Sequence, residues 1–408
     1  MPDRQPSIIP ILLLTLSTLT VMAGAIIAPS LPQMSTVFAD VPGAVFLSKL
    51  ILSLPALFIG LAAPFIGYVL DYYGRIRVLL FSLVLYGLAG SSGVYLDNIY
   101  LLLIGRGLLG IAVAGIMTGA TALIADYYAG GERNRLLGRQ SMFMALGGVL
   151  FLSAGGMLAD WHWRAPFMIY LVAMLLVWPV FRFLYEPDRS VPRHGANNTD
   201  SAGFVFRLGY PAIFFAAFVG MALFYMIPIQ IPFYLKTIGV LENRYAGFAI
   251  MATTVSSAMV AGQYQRIRRR LSFVQIFALA FAIIALAYLL ISRADRYAIV
   301  VTALFFGGMG FGVFMPNANT WLVSLAPPAL RGRLIGLLSM CFFLGQFLSP
   351  IITEPIIQAT SIAHLFELAA EFMGAVAALY LIMAFVPNPL LRELKSDEDD
   401  AAEQKLVE

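Results

Sequence analysis

A chain of 408 residues that is 60% hydrophobic and only 12% charged has too little charge for an ordinary soluble surface, so it belongs in a lipid bilayer. Its net charge of +4 is small and gives no indication of a nucleic-acid partner. The single cysteine, Cys341, excludes an internal disulfide and a cysteine-based metal cluster; the three histidines are dispersed, and we expect no metal and no cofactor.

Twelve apolar stretches are long enough to cross about 30 Å of hydrocarbon. Each must be a helix, because only a helix satisfies its own backbone groups in lipid without closing a barrel. The first stretch is longer than the apolar core of a signal peptide, so we expect it to be a membrane helix. The predicted spans are 8–29, 46–69, 78–95, 99–125, 137–158, 165–184, 210–235, 245–262, 273–291, 297–320, 334–357 and 366–386. The sequence therefore predicts an all-α integral membrane protein with twelve transmembrane helices.

The basic residues are distributed unevenly among the loops. If the N-terminus is cytoplasmic, 19 of the 26 lysines and arginines lie on the inner side, six lie on the outer side, and Arg106 alone falls inside a span. By the positive-inside rule, this bias predicts a protein of the plasma or inner membrane with both termini in the cytoplasm.

Polar segments divide the chain into parts. Residues 186–206 are polar and contain prolines and glycines, so they are predicted to be a flexible cytoplasmic linker. The linker separates a six-helix bundle at 1–185 from a second one at 207–387. Residues 388–408 form an acidic tail without an apolar face, which is typical of disorder.

The two halves repeat each other in sequence. Residues 133–138, RNRLLG, match residues 331–336, RGRLIG, at an offset of 198 (331 − 133), and the same offset relates Gly110 to Gly308. Two six-helix halves related by repetition are what a transporter needs to expose one central site to each side in turn.

A charged turn joins the second and third spans. Gly67 and Gly74 permit close backbone approach and a tight reversal. Asp71, Arg75 and Arg77 cannot stay in hydrocarbon, so the turn must lie at a membrane face. The segment GYVLDYYGRIR resembles the G-x-x-x-D-x-x-G-R-x-R/K signature of the major facilitator superfamily.

Other segments strengthen this resemblance. Arg106–Gly110 is similar to the R-x-x-x-G motif of the family's fourth helix, and Trp163–Phe167 is similar to its W-R-x-x-F entry to the sixth helix. Gly24, Pro29 and Pro32 resemble the G-x(4)-P-x-x-P pattern of its twelve-helix drug and metabolite exporters. The resemblance covers nearly the whole chain and implies two pseudo-symmetric six-helix bundles.

One departure from the exporter pattern concerns proton exchange. The family's proton-coupled exporters commonly carry a G-P-x-x-G-G element in the fifth helix. This chain keeps Gly155-Gly156 but has Phe151-Leu152 in place of the Gly-Pro pair. A proline would open the helix ladder locally, whereas Phe and Leu preserve it, so antiport is not implied by this motif.

The resemblance also implies an inner latch that joins the two halves in the outward-open state. Asp71 would meet the amino end of the eleventh helix, after Pro327-Pro328, whose dipole favours a carboxylate by about 0.3–1 kcal/mol. Arg75, Asp126 and Arg133 would form a relay behind it. The alternative is that these charges only anchor loops among lipid headgroups.

Two cations stand out within or near spans. An arginine inside a helix costs about 2.5–3.5 kcal/mol on insertion scales, so Arg106 should face the bundle interior, a partner or water. It would bind a substrate anion or tune a proton site; the alternative is snorkelling to the outer face. Lys49, near the outer mouth, either guides an anion inward or snorkels.

The remaining candidates are polar groups expected at a central cavity. They are Tyr225 and Gln230 on the seventh helix, Asn317 and Asn319 on the tenth, and Gln346 on the eleventh, set among aromatic residues and methionines that suit an amphipathic solute. Each could instead be a hydrogen bond between helices, worth about 0.6 kcal/mol on average. Glu371 in the twelfth span is the deepest acid and the candidate coupling group.

The sequence therefore predicts a secondary transporter, not an enzyme, since it shows no clustered acid, base or metal site. We expect a monomer that moves a small organic solute such as a drug, siderophore or metabolite, most simply outward. Coupling stays open between proton antiport and facilitated diffusion. The alternatives are uptake of an organic anion through Arg106 and Lys49, and a membrane receptor or assembly protein that transports nothing.

Overall fold

The computed structural model describes residues 8–187, 209–327 and 330–385. Nearly all of the predicted linker at 186–206, and the tail at 388–408, lie outside these residues. The described part is built from twelve long helices. They are α1 (Ile8–Val37), α2 (Ala44–Tyr73), α3 (Arg75–Tyr95), α4 (Ile99–Tyr127), α5 (Gly130–Trp161), α6 (Ala165–Phe183), α7 (Gly209–Thr237), α8 (Asn243–Ala261), α9 (Phe273–Ser292), α10 (Tyr297–Leu325), α11 (Arg331–Ala359) and α12 (Ile362–Phe385).

The helices confirm the predicted fold class. Several extend beyond the predicted spans, because helical hydrogen bonding continues past the apolar core until a glycine or an extended residue stops it. Thus α2 ends at Gly74, whose φ of 99° no other residue type adopts easily. Helix α5 begins seven residues before the predicted span at 137, so the predicted loop residue Arg133 is helical.

Eleven of these helices are long and apolar enough to cross a membrane. The exception is α8, which carries Asn243, Arg244 and two Thr or Ser pairs among its 19 residues. At 1.5 Å per residue it is still about 28 Å long, close to the thickness of the hydrocarbon core. Its polar groups are therefore expected to face other helices, and Asn243, Thr253 and Ser256 are indeed buried.

The two halves pack their helices in the same way. In the first half, α2 and α3 both pack on α4, α3 also packs on α6, and α1 packs on α5. In the second half, the helices six positions later pack in the same way: α8 and α9 both pack on α10, α9 also packs on α12, and α7 packs on α11. Equivalent glycines occupy equivalent crossings. A Cβ at Gly110 would clash with the carbonyl oxygen of Pro55, and one at Gly308 with that of Thr253. Small residues permit these close crossings, which hold helices together in lipid by van der Waals contact.

Two turns define the inner and the outer end of the molecule. The inner end is the one where α2 and α3 meet at Gly74, and the outer end is the one where α3 and α4 meet near Asp97. The distribution of basic residues predicts that the inner end faces the cytoplasm. Across the halves, α2 packs on α11, α5 packs on α8, and the outer part of α1 packs on α7.

A candidate transport pathway between the two halves

The outer ends of α5 and α8 are in direct backbone contact. A Cβ at Gly247 would lie 2.6 Å from the carbonyl oxygen of Leu152 and 3.2 Å from the Cα of Gly156. The carboxylate of Asp160 accepts hydrogen bonds from the backbone amides of Asn243 at 2.6 Å and of the next residue at 3.3 Å. An acid from the first half thus caps the positive amino end of a helix of the second.

The outer ends of α2 and α11 are joined by an ion pair. The Lys49 ammonium lies 2.6 Å from a carboxylate oxygen of Glu354, and their side chains are only 1% and 8% exposed. The Lys49 nitrogen also lies 4.9 Å from the centre of the Phe233 ring on α7. Removing one partner of such a buried pair costs about 3–5 kcal/mol, because it leaves an uncompensated charge. Lys49 therefore does not snorkel, and the pair ties the two halves together.

The inner ends of the same helices are apart. Midway along α2, a Cβ at Gly60 would lie 3.3 Å from the Cβ of Phe343 on α11, but none of the described residues comes within 4 Å of such an atom at Gly67. The same is true of Gly138 on α5 and Gly336 on α11. The close approach predicted for Gly67 is absent from this conformation, because the helices diverge towards the inner end. Within the described residues, the halves are therefore in contact at the outer end and apart at the inner end.

The turn after α2 forms a network within the first half. Gly74 makes the predicted reversal. Arg75 forms an ion pair with Asp126 and donates from its guanidinium to the Ala122 carbonyl oxygen at 2.8 Å. Its backbone amide donates to Glu186 at 2.7 Å, which ties the end of the first half to this turn. The structure thus brings Arg75 and Asp126 together.

The other charges of the predicted latch are solvent-accessible. Asp71, Arg77 and Arg133 are all exposed at the inner end. Gly60 on α2 and Phe343 on α11 lie side by side. Eleven residues further inward, α2 reaches Asp71 (60 to 71) and α11 reaches Gly332 (343 to 332). Asp71 therefore lies level with Gly332, at the amino end of α11.

Arg106 is completely buried within the first half, so it does not snorkel. Its guanidinium carbon lies 4.6 Å from the ring centre of Phe167 and 5.0 Å from that of Tyr170, both on α6. One terminal nitrogen donates to the Gly90 carbonyl oxygen at 3.2 Å. Among the described residues its other two nitrogens, Nε and Nη1, have no hydrogen-bond partner, and no carboxylate pairs with it. The faces of the two rings stabilise the Arg106 cation, because a cation–π interaction contributes about 2 kcal/mol when the cation is desolvated.

Tyr225 and its neighbours lie where the halves meet. A Cβ at Gly24 on α1 would lie 2.8 Å from the Tyr225 hydroxyl oxygen on α7, so this contact crosses between the halves. Phe224 packs edge-on against Phe311 of α10, with 5.0 Å between ring centres. The face of the second half beside this contact is therefore largely aromatic.

Two predicted amides lie between α7 and α11. Gln230 is completely buried and donates to the Thr353 hydroxyl at 3.1 Å, while its carbonyl oxygen has no partner among the described residues. Gln346 is buried one to two turns further inward on α11.

Three predicted candidates lie elsewhere. Asn317 is fully buried and holds the start of α9, donating to the Phe273 carbonyl oxygen at 2.9 Å and accepting from the Tyr264 hydroxyl at 3.1 Å. Asn319 is exposed and bonds back to its own helix at Met315. Glu371 is exposed, because α12 packs inward through the opposite face, which carries Phe366, Ala370 and Met373.

Two contacts of the interface, and one polar cluster within the first half, were not predicted from the sequence. The pairing of Lys49 with Glu354 joins residues 305 positions apart, so no local spacing could have indicated it. The Asp160 cap on α8 is equally long-range. Gln140 on α5 donates to Ser17 of α1 at 2.9 Å and to Thr121 of α4 at 3.2 Å, forming a polar cluster in the first half. The sequence feature that could have indicated the two contacts between the halves was an acid near the outer end of α5, Asp160, and another near the outer end of α11, Glu354.

Known proteins share this architecture. A bacterial homologue of the human lysosomal transporter Spinster, in an inward-facing and occupied conformation, superposes with a TM-score of 0.76 at 16% identity, covering 97% of this chain and all of that one. A D-xylose-proton symporter superposes with a TM-score of 0.75, also at 16% identity, covering 95% of this chain and 99% of that one. These structures agree with the fold described above.

Sequence comparisons find relatives of the same kind. A multi-drug resistance efflux pump PmrA homologue of Lactococcus lactis is 23% identical over 316 residues, 76% of this chain and 78% of that protein. The bacillibactin exporter of Bacillus subtilis is 22% identical over 349 residues, 81% and 85% of the two chains. Human protein spinster homolog 1 is 36% identical over 141 residues, which is 32% of this chain and 26% of that protein. Residues 13–350 match the family model for the Major Facilitator Superfamily, and the chain belongs to that family of secondary transporters.

Proposed function

We propose that this transporter exports a small amphipathic organic solute from the cytoplasm in exchange for protons. The observation that carries the proposal is the arrangement of the two repeated halves, closed at the outer end by Lys49–Glu354 and Gly156–Gly247 and open at the inner end. Such a molecule can take a solute from the inner side and must then reverse this arrangement to release it.

The character of the interface supports an amphipathic solute. Aromatic rings of α7 and α10 lie beside Tyr225, and the buried amides of α7 and α11, Gln230 and Gln346, are uncharged. Relatives named as an efflux pump and as an exporter of bacillibactin support the outward direction. Uptake of an organic anion is less well supported, because Arg106 is enclosed by rings and Lys49 is neutralised by Glu354.

The proposed cycle includes a latch at the inner end. When the inner ends close, Gly67 would meet Gly336, and Asp71 would reach the amino end of α11 beside Arg331. The N-cap of this helix, Leu330, makes no side-chain hydrogen bond to the first turn. The Asp71 carboxylate could therefore accept hydrogen bonds from backbone amides in the first turn of α11, and the helix dipole would stabilise its negative charge.

Replacing Asp71 with asparagine is expected to weaken transport without preventing membrane insertion. The loss of about 0.3–1 kcal/mol of dipole interaction would lower the outward-open population, and with it the flux, about two- to fivefold. Initial efflux rates normalised to the amount of inserted protein measure this effect. The matched control is Asp295→Asn, which removes an exposed acid from the outer end. Normal flux from well-expressed Asp71→Asn protein would rule out the latch.

Transport itself is tested in vesicles of defined orientation. Inside-out vesicles would be given ethidium, a neutral lipophilic dye or a catecholate siderophore, with an acidic interior that represents the outside of the cell. We expect at least one compound to accumulate, and an uncoupler to abolish the accumulation. Flux equal to that of protein-free vesicles for every compound would favour a receptor or assembly protein. Flux insensitive to the uncoupler would indicate facilitated diffusion.

A further inference from the structure

Glu354 is the one acid among the described residues whose side chain is buried. It lies on α11 and faces Lys49 on α2, so the pair spans the boundary between the halves at the closed end. One carboxylate oxygen accepts from Lys49 at 2.6 Å and the other from Gln358 at 3.3 Å. Both carboxylate oxygens thus accept a hydrogen bond, and the contact with the Lys49 ammonium depends on the negative charge of Glu354.

The repeat shows that packing alone does not require these charges. At the offset of 198 residues that relates Gly110 to Gly308, Lys49 corresponds to Gly247 and Glu354 corresponds to Gly156. Those two glycines form the backbone contact between the outer ends of α5 and α8. The same symmetry-related position is therefore closed by two glycines on one side of the molecule and by an ion pair on the other.

The two contacts differ in what can open them. The backbone contact between the glycines itself involves no titratable group, whereas Asp160 beside it caps the start of α8 with its carboxylate. The ion pair holds only while Glu354 is ionised, because a protonated carboxyl would leave the Lys49 ammonium buried without a counter-charge. Opening the outer end would then hydrate Lys49 and remove that penalty.

We propose that Glu354 is a proton-binding site of the outer gate, and that its protonation releases Lys49 and opens the outer end. This inference rests on the proposed transport function for its biological meaning, but the gate can be measured without a substrate. The sign follows from the pair: the closed state needs an ionised Glu354, so it is favoured at high pH and lost as the pH falls.

Other titratable groups lie on the elements around the pair. Asp40 lies in the turn before α2, Tyr234 and Lys236 lie near the end of α7, and His364 and Glu367 lie at the start of α12. Tyr234 donates to the carbonyl oxygens of Ile291, in the last turn of α9, and of Ala294 just after it, and His364 contacts Glu367 at 3.3 Å. Within the described residues, none of these groups forms an ion pair with Lys49 or Glu354. The other acid that joins the halves at the outer end is Asp160, which caps α8, so Asp160→Asn is the variant that shows whether pH acts there instead of at Glu354.

The test is a distance across the outer end, measured by pulsed electron paramagnetic resonance on purified protein. Spin labels would be placed at Val45 on α2 and Thr360 after α11, both exposed, in a Cys341→Ser background. We expect a single short distance at pH 8 and a longer population that grows as the pH is lowered to 4, below the ordinary pKa of about 4.3 for a hydrated glutamic acid. Glu354→Gln, which resembles the protonated acid, should show the longer distance at both pH values.

Two further variants separate the gate from general damage. Arg296→Gln removes an exposed charge from the outer end, away from the contacts between the halves, and should keep the wild-type pH response. The exchanged pair Lys49→Glu with Glu354→Lys should recover the short distance at pH 8 even if Glu354→Gln folds poorly. A wild-type distance that ignores pH, or a Glu354→Gln protein that keeps the wild-type response, would overturn the proposal.

The outcome is independent of the transport assay. If the distance responds as expected but vesicles show no flux for any compound, the gate stands and the proposed function fails. If flux is present but the distance ignores pH, the proposed function stands and Glu354 is not the proton site.

Discussion

Replacing Gly247 with leucine is expected to prevent closure of the outer end and to reduce transport to near background. Even a Cβ at this position would lie 2.6 Å from the backbone oxygen of Leu152, which cannot move aside without shifting α5. Overpacking of this kind destabilises the closed state by about 1–3 kcal/mol, which lowers its population by a factor of about 5 to 150. The outer label pair at Val45 and Thr360 should report a longer distance at every pH, and vesicle flux should fall accordingly.

Gly262→Leu is the matched control for this substitution. Gly262 follows the other end of α8 with an ordinary helical φ of −64°, and a Cβ there would meet only ordinary contacts at 3.6 Å or more. We expect its distance distribution and flux to resemble those of the wild type. If Gly247→Leu kept the short outer distance and normal flux, closure would not depend on the contact between α5 and α8.

Replacing Arg106 with leucine is expected to abolish most transport while leaving the protein folded. A desolvated cation without a carboxylate partner contributes little net stability, and its repeat counterpart, Leu304, shows that a leucine fits the equivalent position. Arg106 nevertheless organises the first half. It lies on the ring of Tyr170, whose hydroxyl donates to the Ala23 carbonyl oxygen at 2.9 Å, next to the Gly24 contact with α7.

We expect the Arg106→Leu protein to have a thermal midpoint equal to or above that of the wild type. Its flux should fall about tenfold or more, which corresponds to a coupling free energy of about 1.4 kcal/mol between Arg106 and transport. Arg106→Lys should not rescue flux, because an ammonium lacks the planar face that stacks on two rings. Arg296→Leu removes an arginine whose side chain is 80% exposed and should leave flux unchanged. Wild-type flux in Arg106→Leu would show that the charge is dispensable for transport.

The sequence predicted the fold because membrane helices are specified locally. A continuous apolar stretch must become a helix in lipid, and a glycine between charged residues, such as Gly74, must become a turn at the membrane face. The repeat of residues 133–138 at 331–336 adds the symmetry of the halves. The polar helix α8 was found in the same way, although it is the least apolar of the twelve.

The candidate site was predicted less well, because its contacts are made between distant segments. Tyr225 lies at the boundary between the halves, whereas Asn317 forms a hydrogen bond to the start of α9, and Glu371 is exposed on α12. Periodicity places a residue on a helix and does not say which neighbour that face meets. Lys49 and Glu354 each look like an ordinary charge near a span end, and only the packing of α2 on α11 joins them.

The two halves are expected to open one end of the molecule only by closing the other. Distances would be recorded for the outer pair, Val45 with Thr360, and for an inner pair, Tyr68 with Leu337, in parallel Cys341→Ser samples at pH 8 and pH 4. Acid should lengthen the outer distance and shorten the inner one in the same fraction of molecules. Inner and outer distances that lengthen together, or that change independently of each other, would contradict this coupling.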